Sequence, residues 1–307
     1  MNFLKLIRFQ NLIMLAIMQL IFRYGFLDLQ KIPLALNDWQ YLLLVLSTIF
    51  IAAGGYLINN VFDKSTDEIN KPNDVVVGKG ISEAMAYNFY IALNIIGVGV
   101  GFYLANVIER PGFALLFIVI SGTLYLYASG LKQSLLIGNI IVALLLSLSI
   151  IIIAIFDLLP MITPANQAGM GLLFKILLDY AIFAFIINFI REIVKDLEDV
   201  NGDYNQGMNT LPIALGVART SRIVFGLSFI PLGLIIYYIN ENLFSYDLYY
   251  ATAYGLVLIL APLLYFTIKI FSAKNQKDFN HLSKVLKFVI FFGILSIAVI
   301  NFNIKHA

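Results

Sequence analysis

Apolar residues run along this chain in long blocks, separated by short clusters of polar and charged side chains. Nine blocks stand out, at about 9–27, 41–62, 84–106, 113–129, 134–156, 172–192, 221–240, 249–271 and 285–303. Each approaches the roughly 20 residues that a helix needs to cross a hydrocarbon core of about 30 Å. They are too long for barrel strands, which cross in about 9–11 alternating residues. The pattern predicts an all-α polytopic membrane bundle of about nine transmembrane helices. No linker or low-complexity stretch divides it, so residues 1–307 are expected to form a single membrane domain. Lys5 and Arg8 precede the first block as they would in a signal peptide. Arg23, Tyr24 and Phe26 then stand where a small-residue cleavage site is needed, so this block reads as a retained span.

Composition agrees and closes off several chemistries. Hydrophobic residues make up 61% of the chain and charged residues only 12%, against about 25% in an average soluble domain. A net charge of +2 offers nothing to nucleic acid. The absence of cysteine excludes disulfides, thiolate metal sites and a cysteine nucleophile. With only His281 and His306 present, imidazole metal sites and Ser-His triads are not expected.

The few charges are distributed unevenly. Nine spans would put the N-terminus and the loops after spans 2, 4, 6 and 8 on one side, with 15 of the 20 Lys and Arg residues. That excess predicts a cytoplasmic N-terminus, in the cell's inner (plasma) membrane. Membrane insertion does not demand the second asymmetry: 10 of 18 acidic residues fall between Asp63 and Glu83 or between Glu192 and Asp203. Both windows lie at cytoplasmic helix ends.

If span 2 continues as a helix, Asn59, Asp63 and Asp67 stack at four-residue spacing on one face. In the second window Asp196, Asp199 and Asp203 share a face at spacings of three and four, with Gly202 and Gly207 permitting sharp turns beyond. Carboxylates stacked this way repel unless a cation sits among them. Hard oxygen ligands suit Mg²⁺, which keeps waters and shares phosphate oxygens of a substrate. One such cluster alone would as readily be solvated loop charge. Two of matching spacing on one side suggest facing motifs that hold Mg²⁺ around a diphosphate above a greasy chamber.

At these residues the chain resembles the UbiA superfamily of intramembrane prenyltransferases, which pairs N-x-x-x-D-x-x-x-D with a second D-x-x-x-D motif. The matching residues are Asn59/Asp63/Asp67 and Asp199/Asp203, with Asp196 upstream. Further likenesses are Arg8-Phe9-Gln10-Asn11 (family R-P-x-N), Tyr127 to Lys132, Gly138-Asn139 and Thr210 to Gly216. Arg191 to Asp203 with Thr210-Leu211-Pro212 is most similar to the digeranylgeranylglyceryl phosphate synthase-like branch. The resemblance implies Mg²⁺-dependent transfer of a prenyl group, geranylgeranyl in that branch, from its diphosphate to the hydroxyl of geranylgeranylglyceryl phosphate. It assigns Asn59, Asp63, Asp67, Asp199 and Asp203 to metal–diphosphate binding, with Asp196 in support. Lys132 and Lys79 are expected on diphosphate oxygens and Asn11 on the diphosphate or a metal-bound water. Arg191 and Lys195 would either contact diphosphate or hold the neighbouring carboxylates apart. Tyr127 is the aromatic expected to stabilise an allylic cation. Asp74-Val75 replaces the family's Arg-Pro, which puts substrate preference in question and leaves Lys79 to substitute.

The partners so implied are a prenyl diphosphate, a lipophilic acceptor and membrane lipid, with no obligate protein partner. Within the superfamily the rival acceptors are an aromatic quinone precursor and a tetrapyrrole. An ion-coupled secondary transporter is the rival of another class, disfavoured because transporter sites lie near the midplane at broken helices. Gly97, Gly99 and Gly101 read as a packing surface inside span 3 rather than a nucleotide loop. Arg23 is expected to snorkel to the interface.

Overall fold

The computed structural model describes residues 2–65, 68 and 75–306. Among the described residues nine helices are long and apolar enough to cross a bilayer: α1 (Phe9–Gln30), α2 (Asp38–Phe62), α3 (Glu83–Val107), α4 (Pro111–Ser129), α5 (Ile137–Met161), α6 (Gln167–Asn205), α7 (Val217–Tyr246), α8 (Tyr249–Ser272) and α9 (Gln276–His306). The expected all-α architecture holds. The described residues contain an isolated bridge between Val77 and Ile81 but no strand.

Local chemistry starts these helices where they start. Asn37 and Gln40 form a reciprocal capping box at the head of α2, with bonds of 2.9 and 3.0 Å. Ser82 accepts from the Met85 N–H at 3.2 Å to open α3. The glycines of span 3 then let α3 close on its neighbours. A Cβ at Gly97 would lie 2.7 Å from Ile51 of α2, and one at Gly101 would strike the Phe117 ring of α4. Gly99 faces open space, so two of the three glycines carry the packing.

Two apolar clusters fill the bundle. One joins α1 to α5 and the first half of α6, with Ile297 of α9, around Phe22, Tyr41, Leu44, Phe117 and Phe156. The other joins the second half of α6 to α7, α8 and α9, around Ile193, Leu263, Phe266 and Leu286. Helix α6 belongs to both. Large side chains such as Ile95, Ile268 and Tyr250 remain outside, as a lipid-facing surface permits.

Arg23 departs from expectation. It is buried rather than snorkelling, with Nη1 2.9 Å from Asp157 Oδ2 and Nη2 donating to the Leu36 carbonyl at 2.8 Å. Asp157 Oδ1 accepts from the Leu36 N–H at 3.1 Å, and the guanidinium lies 5.2 Å from the Tyr41 ring centroid. The pair ties α1 to α5 and to the chain entering α2. Asp157 supplies the physical reason: the fifth apolar block stops at 156, but α5 carries on and brings a carboxylate within reach.

The sixth helix also outruns its apolar block, extending from 172–192 to Gln167–Asn205. At 1.5 Å per residue it is about 58 Å long, nearly twice the hydrocarbon thickness. Its C-terminal turns therefore carry polar residues beyond the apolar layer.

Candidate active site

A cavity of about 530 Å³ opens between α1, α2, α4, α5 and α6. Its inner wall is apolar, formed by Leu15, Ile51, Phe117, Leu124, Leu146 and Ile152. Its mouth is polar and gathers residues from both acidic windows. Asn59, Asp63, Asp196, Asp199 and Asp203 all line it, as do Asn11, Tyr127, Lys132, Arg191 and Lys195. Ten of the twelve residues singled out above thus share one cavity. Asp67 lies outside the described residues. Lys79 is described and does not line the cavity: it is exposed on the turn that Gly78 opens at φ 87°. Val76 and Val77 are buried with Leu6 and Leu57, which leaves the following turn outside.

Helix geometry builds the first half of the mouth. Asp63 closes α2, its N–H bonded to the Asn59 carbonyl at 2.8 Å, so the two side chains lie one turn apart on one face. Asn59 Nδ2 donates to Asp63 Oδ2 at 2.5 Å, while Asn59 Oδ1 is buried without a hydrogen-bond partner. Lys132 donates to the other oxygen of Asp63. That lysine sits in the short turn Leu131–Gln133, pressed against α5 because residue 138 is glycine; a Cβ there would lie 2.8 Å from Lys132 Cα. The Asn209 N–H bonds to the Gln133 carbonyl at 3.0 Å and ties the turn to the segment after α6.

The second half rides on α6. Gly202 stays within the helix, and the chain turns instead at Gly207, whose φ is 66°. Asp196, Asp199 and Asp203 therefore hold their common helical face. Asn139 Nδ2 at the start of α5 donates to Asp196 Oδ2 at 2.8 Å. Lys195 and Arg191 converge on Glu192: Lys195 Nζ lies 3.0 and 2.9 Å from its two oxygens and Arg191 Nη1 3.4 Å from one. Both cations expected either on diphosphate or between carboxylates are thus engaged with one neighbouring carboxylate.

Asn11 turns toward the opposite wall. It accepts from Lys287 Nζ of α9 at 2.8 Å and donates to the Tyr56 hydroxyl at 3.3 Å. Tyr56 and Lys287 escaped the sequence reading, since neither stands in an acidic repeat. Glu192, at the start of the second acidic window, and Asn139, in the Gly138-Asn139 likeness, were in view there without a role. Exposed Lys64 donates to Glu83 at 2.9 Å, and that partner holds its ammonium above the ordinary lysine range.

The donor set has the character Mg²⁺ requires. Asn59 presents an unclaimed buried amide oxygen beside a carboxylate, and three further carboxylates line the same cavity. Among the described residues no group of three carboxylate or imidazole ligands closes into a cage. Mg²⁺ does not need one, because it commonly binds through one or two carboxylates plus water and substrate phosphate.

Residues 28–299 match the model of the UbiA prenyltransferase family. The chain is 34% identical over 227 residues to digeranylgeranylglyceryl phosphate synthase of Saccharolobus solfataricus, covering 72% of this chain and 71% of that one. For the enzyme of that name in Methanobrevibacter smithii, identity is 29% over 273 residues, covering 87% and 89%. The aligned part spans only 61% of the Sulfolobus acidocaldarius enzyme of the same name, at 37% identity and over 60% of this chain. A solved structure concerning digeranylgeranylglyceryl phosphate synthase in membranes superposes with a TM-score of 0.65 at 23% identity, covering 98% of this chain and 97% of that one. A UbiA homolog from Archaeoglobus fulgidus bound to GPP and Mg²⁺ gives 0.62 at 17% identity, covering 97% and 99%. These two likenesses show the fold.

Proposed function

The chain belongs to the UbiA prenyltransferase family, and we propose that its polar mouth transfers a prenyl group from its diphosphate to the hydroxyl of a lipophilic acceptor. The observation that carries this reading is the meeting of two Asn/Asp-rich helix ends at one cavity with an apolar wall below. The donor is a prenyl diphosphate, most consistently geranylgeranyl diphosphate. The acceptor is geranylgeranylglyceryl phosphate, after the relatives' names. Residues 1–307 act as one domain of an integral membrane protein. The 15-to-5 bias of basic residues supports a mouth on the cytoplasmic face of the inner membrane.

Asn59, Asp63, Asp199 and Asp203 would hold Mg²⁺, with Asp67 completing the first motif and Asp196 in support. When bound, the metal neutralises the leaving diphosphate. Lys132, already beside Asp63, adds a point charge for diphosphate oxygens. Asn139 fixes the orientation of the Asp196 carboxylate. The apolar wall receives the prenyl chain and excludes water from the reacting carbon. Tyr127 lines this space and offers π density to the allylic cation. The C–O bond to diphosphate breaks, and the acceptor oxygen bonds to the primary carbon. Its proton leaves to a cavity carboxylate or to the departing diphosphate.

Purified protein, labelled geranylgeranyl diphosphate, Mg²⁺ and a panel of acceptors test the assignment. Prenylated product and free diphosphate should require the metal, and Asp63→Ala or Asp199→Ala should abolish both. Near-normal turnover by either variant would show the metal assignment to be wrong.

A further inference from the structure

Lys175 and Asp179 take no part in the mouth. They stand one turn apart in the first half of α6, inside its apolar block, and both are exposed. Among the described residues neither makes a hydrogen bond or an ion pair. The next residue, Tyr180, fixes their depth. Its ring centroid lies 5.1 Å from that of Phe22, and its hydroxyl is 2.8 Å from Ser296 Oγ. Those two partners stand eight residues before the end of α1 at Gln30 and ten before the end of α9 at His306. At 1.5 Å per residue that is roughly 12–15 Å beneath the helix ends opposite the mouth. A carboxylate facing lipid at such a depth is costly, and groups of this kind ordinarily pair. The bundle meets that demand for Arg23 and Asp157, joined at 2.9 Å and buried. For Asp179 it supplies no counter-charge.

Lys175 is a poor partner within its own helix, because a cation four residues before an acid is the weaker of the two possible orders. Tyr238 of α7 is half-buried within electrostatic reach of Asp179 and makes no hydrogen bond to it. The surrounding face has the spacing of a helix seam. Ala168, Gly171, Lys175, Leu178 and Ile182 follow one another at intervals of three and four, and all are exposed. Open space lies beyond Gly171, where a neighbouring backbone could approach closely.

We infer that this face of α6 joins two copies of the chain, Lys175 of each meeting the partner's Asp179. Copies inserted in the same direction pair about a two-fold axis normal to the membrane, which sets their α6 helices side by side and parallel. Every contact is then made twice, so a face bearing one cation and one anion is its own complement. The two residues differ in height by about 6 Å, a gap that the long lysine side chain spans. The mouth begins at Arg191, about 18 Å further along the rod, so both mouths stay open on one side of the membrane. This pairing does not depend on the reaction proposed for the mouth.

The chain contains no cysteine, so single-cysteine cross-linking reads the contact directly. In the full chain in lipid vesicles, Leu178→Cys should give disulfide-linked dimers under mild oxidation. Ile95→Cys, on the lipid-facing surface of α3, should not. Adding Asp179→Asn to the Leu178→Cys chain should weaken association about tenfold or more, measured by diluting the protein into lipid. A charge exchange separates a contact between chains from one within a chain. Lys175→Asp and Asp179→Lys should each be monomeric alone. Given different tags and mixed, the two variants should co-purify, because each offers the charge that the other lacks. Mixing cannot rescue a pair confined to one helix, so folded variants that stay apart overturn the inference. A wild-type chain that stays monomeric at every protein-to-lipid ratio does so too, as does cross-linking at position 178 only to a different protein. Should Asp179→Lys fail to insert, the cross-links decide. Equal yields from Leu178→Cys and Ile95→Cys, or a Leu178→Cys yield that Asp179→Asn leaves unchanged, also overturn it.

Discussion

Asp157 offers a sharp test of how the bundle is held together away from the mouth. Its carboxylate is fully buried and Arg23 is 4% exposed. Asp157→Ala removes the partner of Arg23 Nη1 and the acceptor of the Leu36 N–H together. Breaking a buried pair from one side typically costs about 3–5 kcal/mol, because the remaining charge stays desolvated. The orphaned N–H adds to the penalty, though not independently. A loss of about 4 kcal/mol is a large part of the roughly 5–15 kcal/mol that stabilises most folds. At about 2–4 °C per kcal/mol, Tm should fall by roughly 10 °C in a detergent-solubilised melt followed by circular dichroism. The double variant Arg23→Met/Asp157→Leu should recover much of the loss, since no charge is then left buried. A single variant within about 1 kcal/mol of wild type would refute the reasoning, for it would mean that Arg23 reaches the interface after all.

Two further outcomes test the packing and the support of the carboxylates. Gly101→Leu should destabilise the protein by about 1–3 kcal/mol in the same melt, because its Cβ meets the Phe117 ring, and Phe117→Ala in the same chain should relieve part of that cost. Asn139→Leu should raise the Mg²⁺ concentration for half-maximal turnover by about tenfold or more, the usual effect of removing a group that orients a metal-binding carboxylate. An unchanged Mg²⁺ curve would leave Asn139 a packing residue.

Hydrophobic run length carries the number of helices and their order almost unaided, because a bilayer imposes a minimum that nothing else in this chain reaches. The acidic spacing locates the mouth for the same kind of reason: helical periodicity turns a four-residue interval into a shared face. Ends and partners were less legible. Helix α6 continues to Asn205 because polar residues can remain helical once outside the apolar layer, so the end of a hydrophobic run does not mark the end of a helix. Asp157 and Lys287 meet Arg23 and Asn11 across 134 and 276 residues of sequence, and no local pattern encodes such pairings. Lys79 shows the opposite error, since nearness in sequence to an acidic window did not bring it to the cavity.

Helix α6 has a consequence for how such a chain can change over time. Arg191, Glu192, Lys195, Asp196, Asp199 and Asp203 ride on one uninterrupted rod whose first half is packed among α5 and α9. Inserting one residue into that buried half would turn all six side chains together by about 100° and advance them about 1.5 Å. Such an edit cannot be compensated one residue at a time. Insertions and deletions should therefore be confined to the connecting loops, while α6 tolerates replacement but not a change in length. An adjustment to bilayer thickness would have to come from the other helices, with α6 fixed as the ruler against which they are trimmed.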